Sequence, residues 1–464
     1  MLVRRLRLTR RHVTWSAAVV LATAVAVPAG ASAFGPADKV RAAVKDGPAK
    51  NVILLIGDGM GDSEITLARN YTVGAAGRLN MDTFPMTGAY TTYSVDKHGK
   101  PDYVTDSSAS GTGWATGHKT VNGRVSKTPD TNKAIPTLLE MAQHGGLATG
   151  SITTADLTDA TPAVQASHVT DRDCQGPEDM KKCSVDRISK GGPGSIAEQS
   201  VNHKVDVLLG GGKGHFDQKV KEGQYKGKTV TEQAKKLGYQ VVTDAKAMKK
   251  AKAGQPVLGL FADYDIPIEW TGKTATGKGT DPQRCVTSNP KRPKGTPTLA
   301  DQTTQAIQLL EAKQAKKGKQ DRKGKKADKG FFLQVEGANI DSEDHAADPC
   351  GQIGETAAFD RAVKVARDYA KQHPDTLVIT TADHGHSSQI VPVDTDPAGM
   401  SSTLVTNEGR QMKVSYGTAP VGESQEHSGT EVRIAAEGPE AYRVLGVTNQ
   451  TDLNTTIRTA LNLG

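Results

Sequence analysis

A three-layer α/β/α sandwich around a large, mostly parallel sheet is the architecture this sequence predicts. Short apolar runs recur along most of the chain, several of them unbroken β-branched or leucine stretches, as expected of strands buried on both faces. Amphipathic segments of helical period separate them. Several runs end in loops rich in Asp, His and Gly, which is where open α/β sheets collect their functional groups.

The chain of 464 residues begins with a segment of another kind. Arg4, Arg5, Arg7, Arg10 and Arg11 precede an apolar run from Ala17 to Val27, closed by Ala31-Ser32-Ala33. That is the pattern of a secretory signal peptide cut near Ala33, so export to the cell envelope or beyond is expected. The Arg10-Arg11 pair leaves the general and the twin-arginine routes both open. No later apolar run reaches about 18 residues, so no transmembrane segment is expected in the mature chain. Residues 34–50 read as an N-terminal arm and 51–464 as one catalytic domain.

Strands are predicted at Val52 to Ile56, Leu147 to Ile152, Val205 to Leu209, Val257 to Phe261, Phe331 to Val335 and Leu377 to Thr381. A helix is predicted over Gln352 to Gln372, where Ala358, Ala362, Val365, Ala366 and Tyr369 share one face. Ser195 and Glu198 have capping-box spacing after "KGGPG", which marks a helix start there and not a phosphate loop.

The formal charge of +7 suggests a polyanionic partner until it is localised. Five of those charges are the leader arginines, and Glu311 to Gly330 holds nine basic and three acidic side chains, so the remainder is mildly acidic. The basic stretch has no aromatics and reads as a solvated helix extension and loop, with no nucleic acid as specific ligand. Cys174, Cys183, Cys285 and Cys350 allow three disulfide connectivities. We expect Cys174 with Cys183, which lie in one polar loop, and Cys285 with Cys350; no C-x2-C pair supports a four-cysteine zinc site.

The first strand runs into Gly57-Asp58-Gly59-Met60-Gly61. This loop resembles a dinucleotide fingerprint, but Asp62 replaces the third glycine and a bare Asp58 carboxylate would repel a phosphate. Attraction requires a cation between them. Other strand ends supply the ligands for one: Glu336, Asp341 and His345; then Asp383, His384 and His386; and His427 in a late loop. Each alone reads as a turn residue, a cap or a surface histidine. Together they place acid and imidazole groups repeatedly at one edge of the sheet, with Asp341 and His345 one helical turn apart. Mixed Asp and His suit zinc, and an all-oxygen set suits magnesium. In "VTDSSASGTGWATG", Asp106 and Ser107 stand where a helix begins, so the Ser107 hydroxyl meets backbone N–H groups and can serve as a nucleophile. No G-x-S-x-G elbow surrounds it. Arg172, beside Cys174, offers a fork for phosphate, while Asp159 and Thr161 with Glu336 offer hard oxygens for magnesium.

Seven ordered segments carry a resemblance: "NVILLIGDGMGDSEIT", "YVTDSSASGTGWATG", "LTDATPA", "SHVTDRDC", "FFLQVEGANIDSEDHAADPCGQIGE", "TADHGHSSQI" and "SQEHSGT". From about Asn51 to the C-terminus the chain resembles the bacterial alkaline phosphatases. The resemblance implies hydrolysis of phosphate monoesters through a phosphoserine on Ser107, flanked by Asp106, with Arg172 clasping the phosphate. It implies two Zn2+ and one Mg2+ per chain: one zinc on Asp341, His345 and His427, the other on Asp58, Asp383 and His384. Magnesium would use Asp58, Thr161 and Glu336, with Asp159 binding directly or through water. His386 would orient a ligand, and the protein would be a homodimer. Where the family often carries lysine or histidine, this chain has Ser342, which bears on phosphate affinity and magnesium retention. A diesterase or sulfatase of the same superfamily is the enzymatic alternative, though the C-x-P-x-R sulfatase signature is missing. A secreted metal- and phosphate-binding protein without turnover is the non-enzymatic one.

Overall fold

The computed structural model describes residues 36–320 and 329–464. The expected leader at 1–33 and the centre of the basic stretch lie outside the described residues. The first five strands are β1 Asn51–Gly57, β2 Met86–Thr91, β3 Ser94–Val95, β4 Pro101–Asp102 and β5 Ala148–Asp156. The next five are β6 Val207–Gly211, β7 Gln240–Val242, β8 Val257–Leu260, β9 Phe331–Gly337 and β10 Thr376–Ala382. The last five are β11 Ser388–Val391, β12 Met400–Val405, β13 Gln411–Tyr416, β14 Val432–Glu437 and β15 Gly446–Asn449.

A 10-stranded sheet runs in the order β15-β2-β14-β10-β1-β9-β5-β6-β8-β7. From β10 to β7 every pairing is parallel, while β14 lies antiparallel to both β10 and β2. All residues of β1, β5, β9 and β10 are buried, which is why these strands show no alternation of apolar and exposed polar residues. All six predicted strands form. The structure carries β5 on to Asp156 and β9 on to Gly337, so their acids sit at the very ends of the strands. The short strands β2, β14 and β15 went unpredicted because short runs of mixed polarity give little periodicity.

The predicted helix at 352–372 begins earlier, at Pro349, because Asp348 caps it by accepting from Cys350 N and Gly351 N. The Ser195/Glu198 capping box forms as expected. The basic stretch starts as the end of the helix Leu299–Gln320. Both expected disulfides, Cys174–Cys183 and Cys285–Cys350, are present. The second joins a satellite apolar cluster under the small β11-β13-β12 sheet. Among the described residues no helix is long and apolar enough to cross a membrane.

The two bridges close loops of very different length, with sequence separations of 9 and 65. On loop entropy, replacing both cysteines of the longer bridge by serine should cost about 4 kcal/mol, and of the shorter about 3 kcal/mol. Denaturant unfolding of the two double variants checks the order.

Candidate active site

Four adjacent parallel strands, β10, β1, β9 and β5, bring their carboxyl ends to one edge of the sheet. Asp58 follows β1, Glu336 is the penultimate residue of β9, Asp383 and His384 follow β10, and Asp159 lies just beyond β5. Two groups of ligand atoms gather there, each within 4.8 Å: Asp58, Asp383 and His384, and Asp341, His345, His386 and His427. Within the first, His384 Nε2 is 3.1 Å from Asp383 Oδ2 and 3.5 Å from Asp58 Oδ1. Within the second, His345 Nε2 lies 3.3 Å from Asp341 Oδ2, and His427 Nε2 lies 3.3 Å from Asp341 Oδ1.

The histidines are oriented by backbone carbonyls. His427 Nδ1 meets Thr105 O at 3.1 Å, His384 Nδ1 meets Gly385 O at 3.3 Å, and His345 Nδ1 meets Gln425 O. Donation from Nδ1–H leaves an Nε2 lone pair aimed at the carboxylates. His386 is arranged the other way: its Nδ1 accepts from Ser387 N at 2.9 Å, so its proton sits on Nε2, 3.1 Å from Asp341 Oδ1. That disposition fits an orienting group, although distance alone groups His386 with the others.

The glycine loop permits the approach. Gly59 has φ +63, and a Cβ there would meet Asp341 Oδ1 at 3.0 Å; its N–H donates to Asp383 Oδ1 at 2.9 Å. Thus one loop links the β1 end to both ligand groups.

Ser107 opens the helix Ser107–Thr116 and is buried, with Oγ 3.4 Å from His384 Nε2. Asp106 caps this helix: Oδ1 accepts from Ala109 N at 2.8 Å, and Oδ2 accepts from Ser108 Oγ at 2.6 Å and Gly123 N at 2.9 Å. Arg172 Nη1 reaches Asp106 Oδ2 at 3.3 Å and Nη2 reaches Asp159 Oδ1 at 2.7 Å. The guanidinium therefore stands beside the Ser107 helix, on the loop stapled by Cys174–Cys183.

The electrostatics call for cations. Burial first, then Asp383, Asp341 and Glu336, push Asp58 well above the carboxylate range. Burial pushes Asp383 up to about 6, with Asp341 adding to it, and Glu336 up to about 8, partly offset by the Thr153 hydroxyl. Burial and then His427 hold His384 well below the usual imidazole range, so it is neutral and ligand-ready. Burial opposes the charge on His427, but Asp341 outweighs it and pushes the imidazole up to about 9. Asp58 Oδ1, Asp383 Oδ2 and Thr161 Oγ1 are buried without a hydrogen-bond partner. Unpaired oxygens on Asp58, Asp383 and Thr161 beside the neutral His384 fit bound metal ions.

A family model described as alkaline phosphatase matches residues 49–423. The streptomycin-6-phosphate phosphatase of Streptomyces griseus is 56% identical over 459 residues, covering 99% of this chain and 98% of that protein. The alkaline phosphatase of Escherichia coli K12 is 50% identical over 432 residues, covering 91% of this chain and 88% of that protein. The chain belongs to the alkaline phosphatase family. In fold it is similar to Thermus thermophilus alkaline phosphatase, with TM-score 0.66 at 21% identity over 92% of this chain and 94% of that one. With the family comes the reaction: the chain is a metal-dependent phosphomonoesterase.

As an alkaline phosphatase, the chain draws together Asp58, Asp383, His384, Asp341, His345, His386 and His427, which sequence reading singled out. Asp159 stands apart: Ala160 N and Arg172 already occupy its Oδ1. Ser342 is exposed on the Asn339–His345 helix and lines a cleft of about 630 Å³ with Asp265, Glu343, Asp348 and Lys291. Sequence reading missed Thr153, whose hydroxyl holds Glu336, and the carbonyls of Thr105 and Gln425. A threonine inside an apolar strand carries no local signal, and a backbone carbonyl carries none at all.

Gly59→Ala should lower the thermal midpoint, through about 1–2 kcal/mol of left-handed strain, and reduce zinc retained after dialysis. Metal analysis beside a melting curve checks both.

Proposed function

We propose that this site hydrolyses phosphate monoesters by two in-line displacements in which Ser107 carries the phosphoryl group. The observation that carries this reading is the buried Ser107 hydroxyl at a helix N-terminus, 3.4 Å from His384 and beside Arg172. Two Zn2+ would be held by Asp341, His345 and His427 and by Asp58, Asp383 and His384, and one Mg2+ by Asp58, Thr161 and Glu336. When bound, these ions supply Lewis-acid neutralisation of phosphoryl oxygens and lower the pKa of the hydroxyl and of water. Ser107 Oγ gives up its proton to solvent and forms a bond to phosphorus as the ester P–O bond breaks, and the departing alkoxide takes a proton from water. Arg172 donates to the equatorial oxygens, held in line by Asp106 and Asp159. A water oxygen then attacks phosphorus, the Oγ–P bond breaks, a proton from that water returns through solvent to Oγ, and inorganic phosphate leaves with overall retention. His386 orients Asp341, and Asp159 serves magnesium through water, since Arg172 holds its Oδ1. We also propose export after cleavage near Ala33, a catalytic domain over 51–464 and a homodimeric assembly.

A narrower reading concerns the leaving group. The cleft beside Ser342 is lined by three carboxyl groups and one lysine, and a relative is named for streptomycin 6-phosphate, an ester of a guanidinium-bearing alcohol. This favours phosphate esters of cationic alcohols.

Ser107→Ala should lower kcat by about 10⁴-fold or more with metal content at the wild-type value; retained turnover would remove Ser107 from the mechanism. Chelation should abolish hydrolysis and zinc should restore it. Ser342→Lys should tighten inhibition by phosphate and depress kcat/KM for cationic esters relative to p-nitrophenyl phosphate, each by up to about fivefold, the worth of one exposed charge pair. Steady-state kinetics on the two substrates checks both effects.

A further inference from the structure

Gln334 lies in β9 two residues before Glu336, so both side chains leave the same face of the sheet. It is buried, at 1% exposure, and both polar atoms of its amide are engaged. Oε1 accepts from Trp114 Nε1 at 3.1 Å and from Gln165 Nε2 at 2.9 Å, while Nε2 donates to Thr161 O at 2.8 Å. Two donors on the oxygen and a carbonyl on the nitrogen permit only this orientation, because the flipped amide would set N–H against N–H. The partners are informative. Trp114 lies two turns along the helix that Ser107 opens, and Thr161 and Gln165 lie one turn apart on the helix that follows Asp159.

We propose that Gln334 is a positioning residue for the reaction: its amide sets the register of the Ser107 helix and the Thr161 helix against the strand that carries Glu336. A shift of the Thr161 helix along β9 would separate the unpartnered Thr161 Oγ1 from the Glu336 carboxyl, and the clamp on the Thr161 carbonyl resists that shift. The same amide, through Trp114, resists tilt of the helix that presents Ser107. This rests on the assignment of Mg2+ to Thr161 and Glu336 above.

The test is calorimetric titration of Mg2+ into the zinc-loaded enzyme, with zinc content measured alongside. Gln334→Met should weaken Mg2+ binding by about 10- to 100-fold, as loss of a group orienting a ligand does, while zinc content stays at the wild-type value. Gln165→Met removes the N–H to Gln334 and the acceptor of Leu139 N–H but leaves the Thr161 clamp, and should leave Mg2+ affinity unchanged. Should Gln334→Met not fold, Gln334→Glu, which keeps length and acceptor and removes the amide donor, should show the same loss. Unchanged Mg2+ affinity in the folded Gln334 variant, an equal loss in Gln165→Met, or failure of both Gln334 variants to fold overturns the proposal. Absence of Mg2+ binding in the wild-type enzyme would overturn the magnesium assignment itself, and this inference with it.

Discussion

Buried like charge at one edge of the sheet is the constraint on which the rest of the structure depends. Asp58, Glu336 and Asp383 are each pushed upward by burial and then by neighbouring carboxylates. Carboxylates so placed repel one another and have lost their water, and only cations offset both costs. The histidines match this requirement, since carbonyl acceptors at Nδ1 leave Nε2 free to face the same space. The fold holds a repulsive arrangement ready for ions.

That readiness comes from strands that no single change can slide. β1 pairs with β10 and β9 along its whole length, and its apolar residues are buried on both faces. A parallel register of this kind puts Asp58 level with Asp383 and sets Glu336 beside Ile56, two residues short of them, and Gly59 lets the Asp58 loop close onto Asp341. The nucleophile is secured separately. Asp106 caps the Ser107 helix and also meets Gly123 and Arg172, so the serine and the guanidinium are positioned through one carboxylate. Loss of Asp106 would therefore disturb both. The outer cleft at Ser342 lies beyond these contacts.

Much of the centre was legible beforehand because its parts announce themselves locally. Unbroken apolar strands ending in Asp58, Glu336 and Asp383 state both the sheet and the edge where function lies. His345 follows Asp341 by one turn, and Asp106 precedes the Ser107 helix as a cap should. The antiparallel strand β14, its neighbour β2 and the edge strand β15 were not legible, because short strands of mixed polarity share their composition with loops. Glutamine at 334 gave no signal either. Within "FFLQVEG" it reads as an interruption of an apolar run, and its meaning lies in Trp114 and Thr161, more than 170 residues away.

By itself the sequence determined the chemistry available to this protein: a helix-borne serine, an arginine in a disulfide loop, and a set of aspartates and histidines suited to zinc and magnesium. Periodicity and cap spacing are local properties, so fold class and helix starts came with them. The tertiary structure alone decided which imidazoles offer lone pairs and which, like His386, offer a proton, since that rests on a carbonyl or an N–H from another loop. It also decided that Asp159 is engaged by Arg172 and that Gln334 joins the nucleophile helix to the Thr161 helix. These are contacts between residues far apart in the chain, and no spacing along one chain encodes the distance between two strands.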